Sequence, residues 1–327
     1  MQPFSYTQVA DVSSALTQLA THPTARLLAG GTNLIDLMKL GVEKPDQLID
    51  ISHLPLAGVE ERADRLHIGA LTLNSDLAMH RAVREGYPVL SEAILAGASP
   101  QLRNMATVGG NLMQRTRCFY FTDKAAPCNK RSAGSGCAAI AGENRSHAIL
   151  GGSKQCIATH PSDMCVALVA LDAVLQLEGP AGKRTLPLVD FHLEPGETPE
   201  KETQLQAGEI ITGVELPKTV VARHSLYMKI RDRASYAFAL VSVAAALEIE
   251  EGHIRNVRIA LGGVATKPWR AYEAEAMLQG AAPTAESFVA AAHAATSSAI
   301  AQTHNGFKIV LAQRAIVRAL SRLGEQT

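Results

Sequence analysis

At 327 residues, 47% of them hydrophobic and 19% charged, the chain is long enough for two or three domains with their own cores. Lys plus Arg and Asp plus Glu both number 31 and aromatics make up 4%, which argues against a basic, base-stacking nucleic-acid surface and leaves small molecules or other subunits as partners. The N-terminal Met-Gln-Pro-Phe-Ser-Tyr lacks the basic and apolar regions of a secretory signal, and the longest apolar run, 237–247, is interrupted by Ser242 and too short to span a bilayer.

Residues 1–55 read as a βαβ unit. Val12, Ala15, Leu16 and Leu19 recur at helical spacing, and Arg26-Leu27-Leu28-Ala29 is a short buried strand. Gly30-Gly31 opens a helix with Leu34, Leu37 and Met38 on one face, ended by Gly41, and 48–51 is the next strand. Residues 56–218 form a second α/β region: a strand at 66–69, a helix at 74–83 starting near an Asn74 cap, and a helix at 89–96. A helix at 164–171 and a strand at 173–177 follow, and the acidic, proline-rich 190–208 reads as a surface loop. Residues 222–327 predict a separate domain, with strands at 226–231, 238–249 and 254–261 and helices at 270–279, 285–300 and 307–322.

Two motifs carry chemistry. Arg26, Leu27, Leu28, Ala29, Gly30, Gly31, Thr32, Asn33 and Leu34 place two glycines between a strand and a helix, where backbone N–H groups favour a phosphate. Asp50 lies about 20 residues on, as in a Rossmann unit, but the Gly-x-Gly-x-x-Gly spacing is absent. Thr107-Val108-Gly109-Gly110-Asn111 repeats the device, and a pair of such loops suits the two halves of a pyrophosphate, each giving N–H donors.

The second motif is a cysteine-bearing insert at about 115–157; from 115 to 143 periodicity fails and Gly, Ser, Lys, Arg and Asn accumulate, a stretch too long to stay structureless without a metal. Cys118, Cys128, Cys137 and Cys156 are separated by nine, eight and eighteen residues, none of them a C-x-x-C knuckle. No histidine stands at zinc spacing, and Arg115, Arg117, Lys124, Lys130 and Arg131 offer positive charge around the thiolates. On spacing alone a 4Fe-4S cluster, structural zinc and two disulfides all remain open. Cys165 opens an apolar helix and reads as a core thiol.

The run 29–34, Thr107 to Asn111, then Pro161-Ser162-Asp163 and Tyr227-Met228-Lys229, in this order, resembles the FAD-binding medium subunit of the xanthine dehydrogenase, or molybdenum hydroxylase, family. The resemblance implies an α+β chain: a two-part α/β FAD-binding region of the PCMH (vanillyl-alcohol-oxidase-like) type, then a domain like the C-terminal one of CO dehydrogenase flavoprotein, with a three-stranded antiparallel sheet and helices. It implies that 26–34 wrap the FAD pyrophosphate, that Thr107, Gly110 and Asn111 complete the cradle, that Asp163 bonds the adenosine side, that Ile211 packs near the flavin-bearing half and that Lys229 lies near the isoalloxazine.

Most flavin subunits of the family lack a cysteine insert. The run from Gln101-Leu102-Arg103-Asn104 through Gly136-Cys137-Ala138-Ala139, with 231–242, looks closest to the periplasmic aldehyde oxidoreductase type, in which the insert holds a 4Fe-4S cluster. The resemblance thus implies Cys118, Cys128, Cys137 and Cys156 as cluster ligands, a large partner carrying a molybdenum cofactor, a small partner carrying 2Fe-2S clusters and an external electron acceptor. A 4-hydroxybenzoyl-CoA reductase type and a zinc-stapled assembly subunit are the alternatives. By the same resemblance the expected location is periplasmic, reached with a partner's signal, against a cytoplasmic alternative.

Overall fold

The computed structural model describes residues 1–325. Three sheets follow one another along the chain. The first is parallel, with β1 (Ser5–Gln8), β2 (Arg26–Leu28) and β3 (Gln47–Asp50) in the order β1-β3-β2. The helices Val12–Thr21, capped by Asp11 on the Ser14 N–H, and Leu34–Lys39 supply the crossovers. Asp50, the Rossmann-like acid, is taken up by the Tyr6 hydroxyl and the Ser52 N–H.

The second sheet is antiparallel, with β4 (Val59–Glu61), β5 (Arg65–Gly69), β6 (Val174–Gly179), β7 (Gly182–Pro187) and β8 (Ile210–Pro217) in the order β4-β5-β8-β6-β7. Sequence periodicity misses β8, its central strand, because Thr212-Gly213 and the terminal Pro217 interrupt the pattern. Gly213 is required there, since a Cβ would lie 2.7 Å from the His67 ring. The helix expected at 74–83 is two helices, Asn74–Met79 and Arg81–Gly86, broken where His80 takes the extended ψ of 132°. Asn74 falls after the cap, which is Leu73.

The third sheet has four strands, β9 (Ser225–Ile230), β10 (Val241–Glu250), β11 (His253–Gly262) and β12 (Trp269–Arg270), in the order β12-β11-β10-β9. The three strands expected from sequence are therefore joined by a fourth of two residues, too short to leave a periodic signal. Residues 231–240, read as partly strand, form a loop in which Arg233 bonds the Ser235 and Tyr236 carbonyls. Helices Tyr272–Leu278 and Phe307–Gly324 cover the sheet through Leu278, Ala312, Ile316 and Leu320, and Ala285–Ala295 packs on both of them through Ala291.

One helix joins the second and third sheets. Every residue of Asp163–Ala170 is buried, and Val166 packs so close to Gly262 of β11 that a Cβ there would sit 2.5 Å away. Each fully buried Val, Leu or Met on it contributes roughly 1.5–3 kcal/mol.

Candidate functional site

The turn after β2 and the turn before helix Val108–Leu112 meet back to back. A Cβ on Gly30 would stand 1.8 Å from the Met105 carbonyl oxygen, so only glycine allows the approach. Gly31 turns the chain with a φ of 69°. The meeting loops floor a cavity of about 700 Å³, lined by all of 26–34, by Thr107 and Gly110, and by Ile211. Among the described residues, no protein acceptor pairs with the backbone N–H groups of Gly30, Gly31, Thr32 and Asn33. The buried Asn33 Nδ2 also lacks a partner, while its Oδ1 accepts from the Arg115 N–H at 3.0 Å. Consecutive unpaired donors of this kind form an anion cradle.

The second loop is different from the first. Its N–H groups are already spent: Val108 on Thr72, Gly109 on Ala70, Asn111 on the Thr107 carbonyl and Gly110 on the Thr107 hydroxyl. The expectation that both loops donate is corrected on this point: the first offers donors and the second buttresses it. Asn111 lies outside the cavity wall, its Oδ1 accepting from Ser162 and from Gln114 at 2.8 Å.

Asp163 and Lys229 also lie off the wall, paired with each other at 2.8 Å and both nearly buried. The Tyr227 hydroxyl donates to Asp163 at 2.6 Å and Lys229 to the Ala96 carbonyl at 3.1 Å. The pair pins the helix Asp163–Ala170 to β9. Burial, and then the Asp163 charge, push the Tyr227 phenol well above its ordinary pKa.

The segment 190–208 proved more than a surface loop. His192, Leu193, Glu202, Thr203 and Leu205 line the cavity, and Glu202 bridges Arg115 at 3.1 Å and Lys130 at 3.0 Å. Burial would raise the Glu202 pKa, but Lys130 and Arg115 hold it below the usual carboxylate range. Arg115 also pairs with Glu43, and Arg117 with Asp36 at 3.2 Å. Of the cations expected to face the thiolates, Arg115, Arg117 and Lys130 are thus paired with carboxylates. Arg131 instead bonds the carbonyls of Tyr120, Phe121 and Ala126, tying the insert together.

Cys118, Cys128, Cys137 and Cys156 line one small enclosed cavity beside Lys130 and Phe121. Cys128 and Cys137 face each other across a β-bridge, with the chain turned between them at Gly134 and Gly136, both at positive φ. Among the described residues, the four cysteines supply no trio of sulfurs within 4.8 Å of one another. Four thiolates at about 2.3 Å around one tetrahedral zinc would stand roughly 3.8 Å apart. Four irons at separate corners of a cubane would hold their thiolates further apart than that. A histidine nonetheless reaches the site in space: His147 Nε2 lies 3.1 Å from Cys118 Sγ. It sits 29 residues downstream, beyond any zinc-type spacing. Burial pushes the Cys118 thiol up to about 12, against N–H groups of Phe121 and Tyr120 that pull it down.

A cavity floored by free N–H groups between a βαβ unit and an antiparallel sheet defines a protein that holds a phosphate-bearing organic cofactor. Residues 2–219 match the family model described as FAD binding domain in molybdopterin dehydrogenase, and 226–323 that of the CO dehydrogenase flavoprotein C-terminal domain. The chain is 50% identical over 329 residues, all of both chains, to the aldehyde oxidoreductase FAD-binding subunit PaoB of Escherichia coli K12. It is 30% identical over 273 residues to the glyceraldehyde dehydrogenase medium chain of Sulfolobus acidocaldarius, covering 83% of this chain and 79% of that one. Carbon monoxide dehydrogenase from Hydrogenophaga pseudoflava superposes with a TM-score of 0.77 at 28% identity, over 99% of this chain and 98% of that one. The chain belongs to the FAD-binding medium subunits of the molybdenum hydroxylase family. Its free N–H groups, the unpartnered Asn33 amide and the cavity's size fit FAD.

Proposed function

We propose that this chain is the flavin and 4Fe-4S subunit of a molybdenum-dependent aldehyde oxidoreductase. The observation that carries the cluster is the convergence of Cys118, Cys128, Cys137 and Cys156, from four separate stretches of the insert, on one cavity. Support for the aldehyde class comes from the full-length, 50% identical relative whose name carries it. The bound FAD would supply exchange between the one-electron clusters of a small 2Fe-2S partner and an external acceptor, substrate oxidation taking place on a large molybdenum partner. This chain's residues bind and orient: the 30–33 N–H groups and Asn33 hold the pyrophosphate, Thr107 and Gly110 fix the turn behind them, and Ile211 packs on the flavin-bearing half. Asp163 and Lys229 act from behind the wall by locking β9 to the flavin region. The complex is assigned to the periplasm, exported with a partner, which fractionation of expressing cells checks.

Different segments hold the two groups, so they separate by mutation. Cys128→Ser in the full chain should lose the iron and keep its FAD. Iron retained at the wild-type level, or FAD lost together with the iron, contradicts the assignment.

A further inference from the structure

A second set of metal-type ligands lies outside the cysteine insert. His160, Cys165 and His192 each place one ligand atom so that all three lie within 4.8 Å of one another. They come from separate pieces of chain: His160 from the extended segment before the Ser162 cap, Cys165 from the first turn of Asp163–Ala170, and His192 from the end of the short helix Leu188–Phe191. The rings of His160 and His192 stand edge to face, with centroids 4.3 Å apart.

Two buried ring nitrogens at this point have no partner, Nδ1 of His192 and Nε2 of His160. Polar atoms left unpaired in a protein interior cost stability, and a set of them aimed at one point needs an explanation. His192 Nε2 lies 2.9 Å from the Leu112 carbonyl, so it carries the proton and leaves a lone pair on the unpartnered Nδ1. A metal-bound imidazole is oriented in just this way, by a carbonyl on its other nitrogen. His160 Nδ1 accepts only a long bond from the Ser162 N–H at 3.4 Å, so ligation through Nε2 asks the ring to move its proton to Nδ1 and give up that one weak contact.

We propose that His160, Cys165 and His192 form a binding site for a borderline-soft transition-metal ion, Zn²⁺ by preference, separate from the four-cysteine insert and sharing no residue with it. One thiolate and two imidazoles suit zinc, and the absence of carboxylate from the set disfavours calcium and magnesium. Binding makes one Zn–S and two Zn–N bonds and releases the Cys165 thiol proton to solvent. Because His160 and His192 both line the flavin cavity, the ion would fasten the 188–192 segment to the helix Asp163–Ala170 and stiffen that wall.

The test uses the full chain with its flavin and iron in place, dialysed anaerobically against Zn²⁺ and examined at the zinc K-edge. The expected result is one further zinc per chain, iron unchanged, with a shell of one sulfur and two imidazoles. Cys165→Ala and His192→Gln should each weaken zinc binding by at least about tenfold, Cys165→Ala without loss of FAD or iron. A four-sulfur shell, zinc taken up only as iron is lost, no uptake at micromolar Zn²⁺, or binding unchanged in both variants would overturn the proposal. The wild-type shell decides the question even where a variant folds poorly.

Discussion

Replacing Gly30 by alanine is the sharpest test of how the flavin cradle is built. The added Cβ would lie 1.8 Å from the Met105 carbonyl oxygen and 2.7 Å from its carbon, both backbone atoms that no rotamer change can move. To restore ordinary contact at about 3.4 Å, one loop must retreat from the other by about 1.6 Å, and overpacking of this kind costs about 1–3 kcal/mol. The empty chain relieves the strain by parting the two loops. FAD needs the 30–33 N–H groups held in place, so most of the cost falls on binding. At 1.4 kcal/mol per decade this is roughly a 10- to 100-fold loss of FAD affinity. Equilibrium dialysis, or the rise in flavin fluorescence on release, measures it directly. Gly30→Ala that binds FAD within about twofold of wild type would refute the back-to-back packing of the two turns.

Lys229→Met should lower stability by about 3–5 kcal/mol, because it leaves Asp163 buried with only Tyr227 as partner. In a double-mutant cycle with Asp163→Asn in urea unfolding, the two costs should fall well short of adding; additivity would mean that the pair is not coupled. Lys308, fully buried with its ammonium on the Ser146, His147 and Gly263 carbonyls, is pushed by burial down to about 7. An unfolded lysine titrates near 10.4, so between about pH 7 and 10 the unfolded chain binds the extra proton, and stability from this residue rises with pH by about 1.4 kcal/mol per unit. Below about pH 7 both states are protonated and the term is flat. Lys308→Met should remove that slope in a comparison of urea midpoints at pH 7, 8 and 9; equal slopes in both proteins would contradict it.

Legibility in the sequence varied with how local the signal was. The β2 turn, the helix after it and the buried helix at 163–170 could be read because a glycine pair or an apolar run marks each on the spot. The helix at 74–83 was misjudged because its apolar spacing runs through His80, where only the backbone breaks. The cavity wall from 190–208 was hidden by composition: Glu202 looks like a solvated acid until Arg115 and Lys130, far off in sequence, close on it. The unequal roles of the two glycine loops depend on which N–H groups find acceptors in the turn after β5 and on Thr107, and no sequence spacing records that. His147 escaped for the same reason, being near Cys118 only in space.

The most direct measurement of the central claim is the cofactor content of the anaerobically purified chain, with iron, acid-labile sulfide, zinc and FAD counted together. A flavin cradle on 26–34 and a cubane on Cys118, Cys128, Cys137 and Cys156 predict one FAD with about four irons and four sulfides per chain. Zinc in place of iron at those cysteines, or a colourless chain that cannot be reconstituted with FAD, would contradict it.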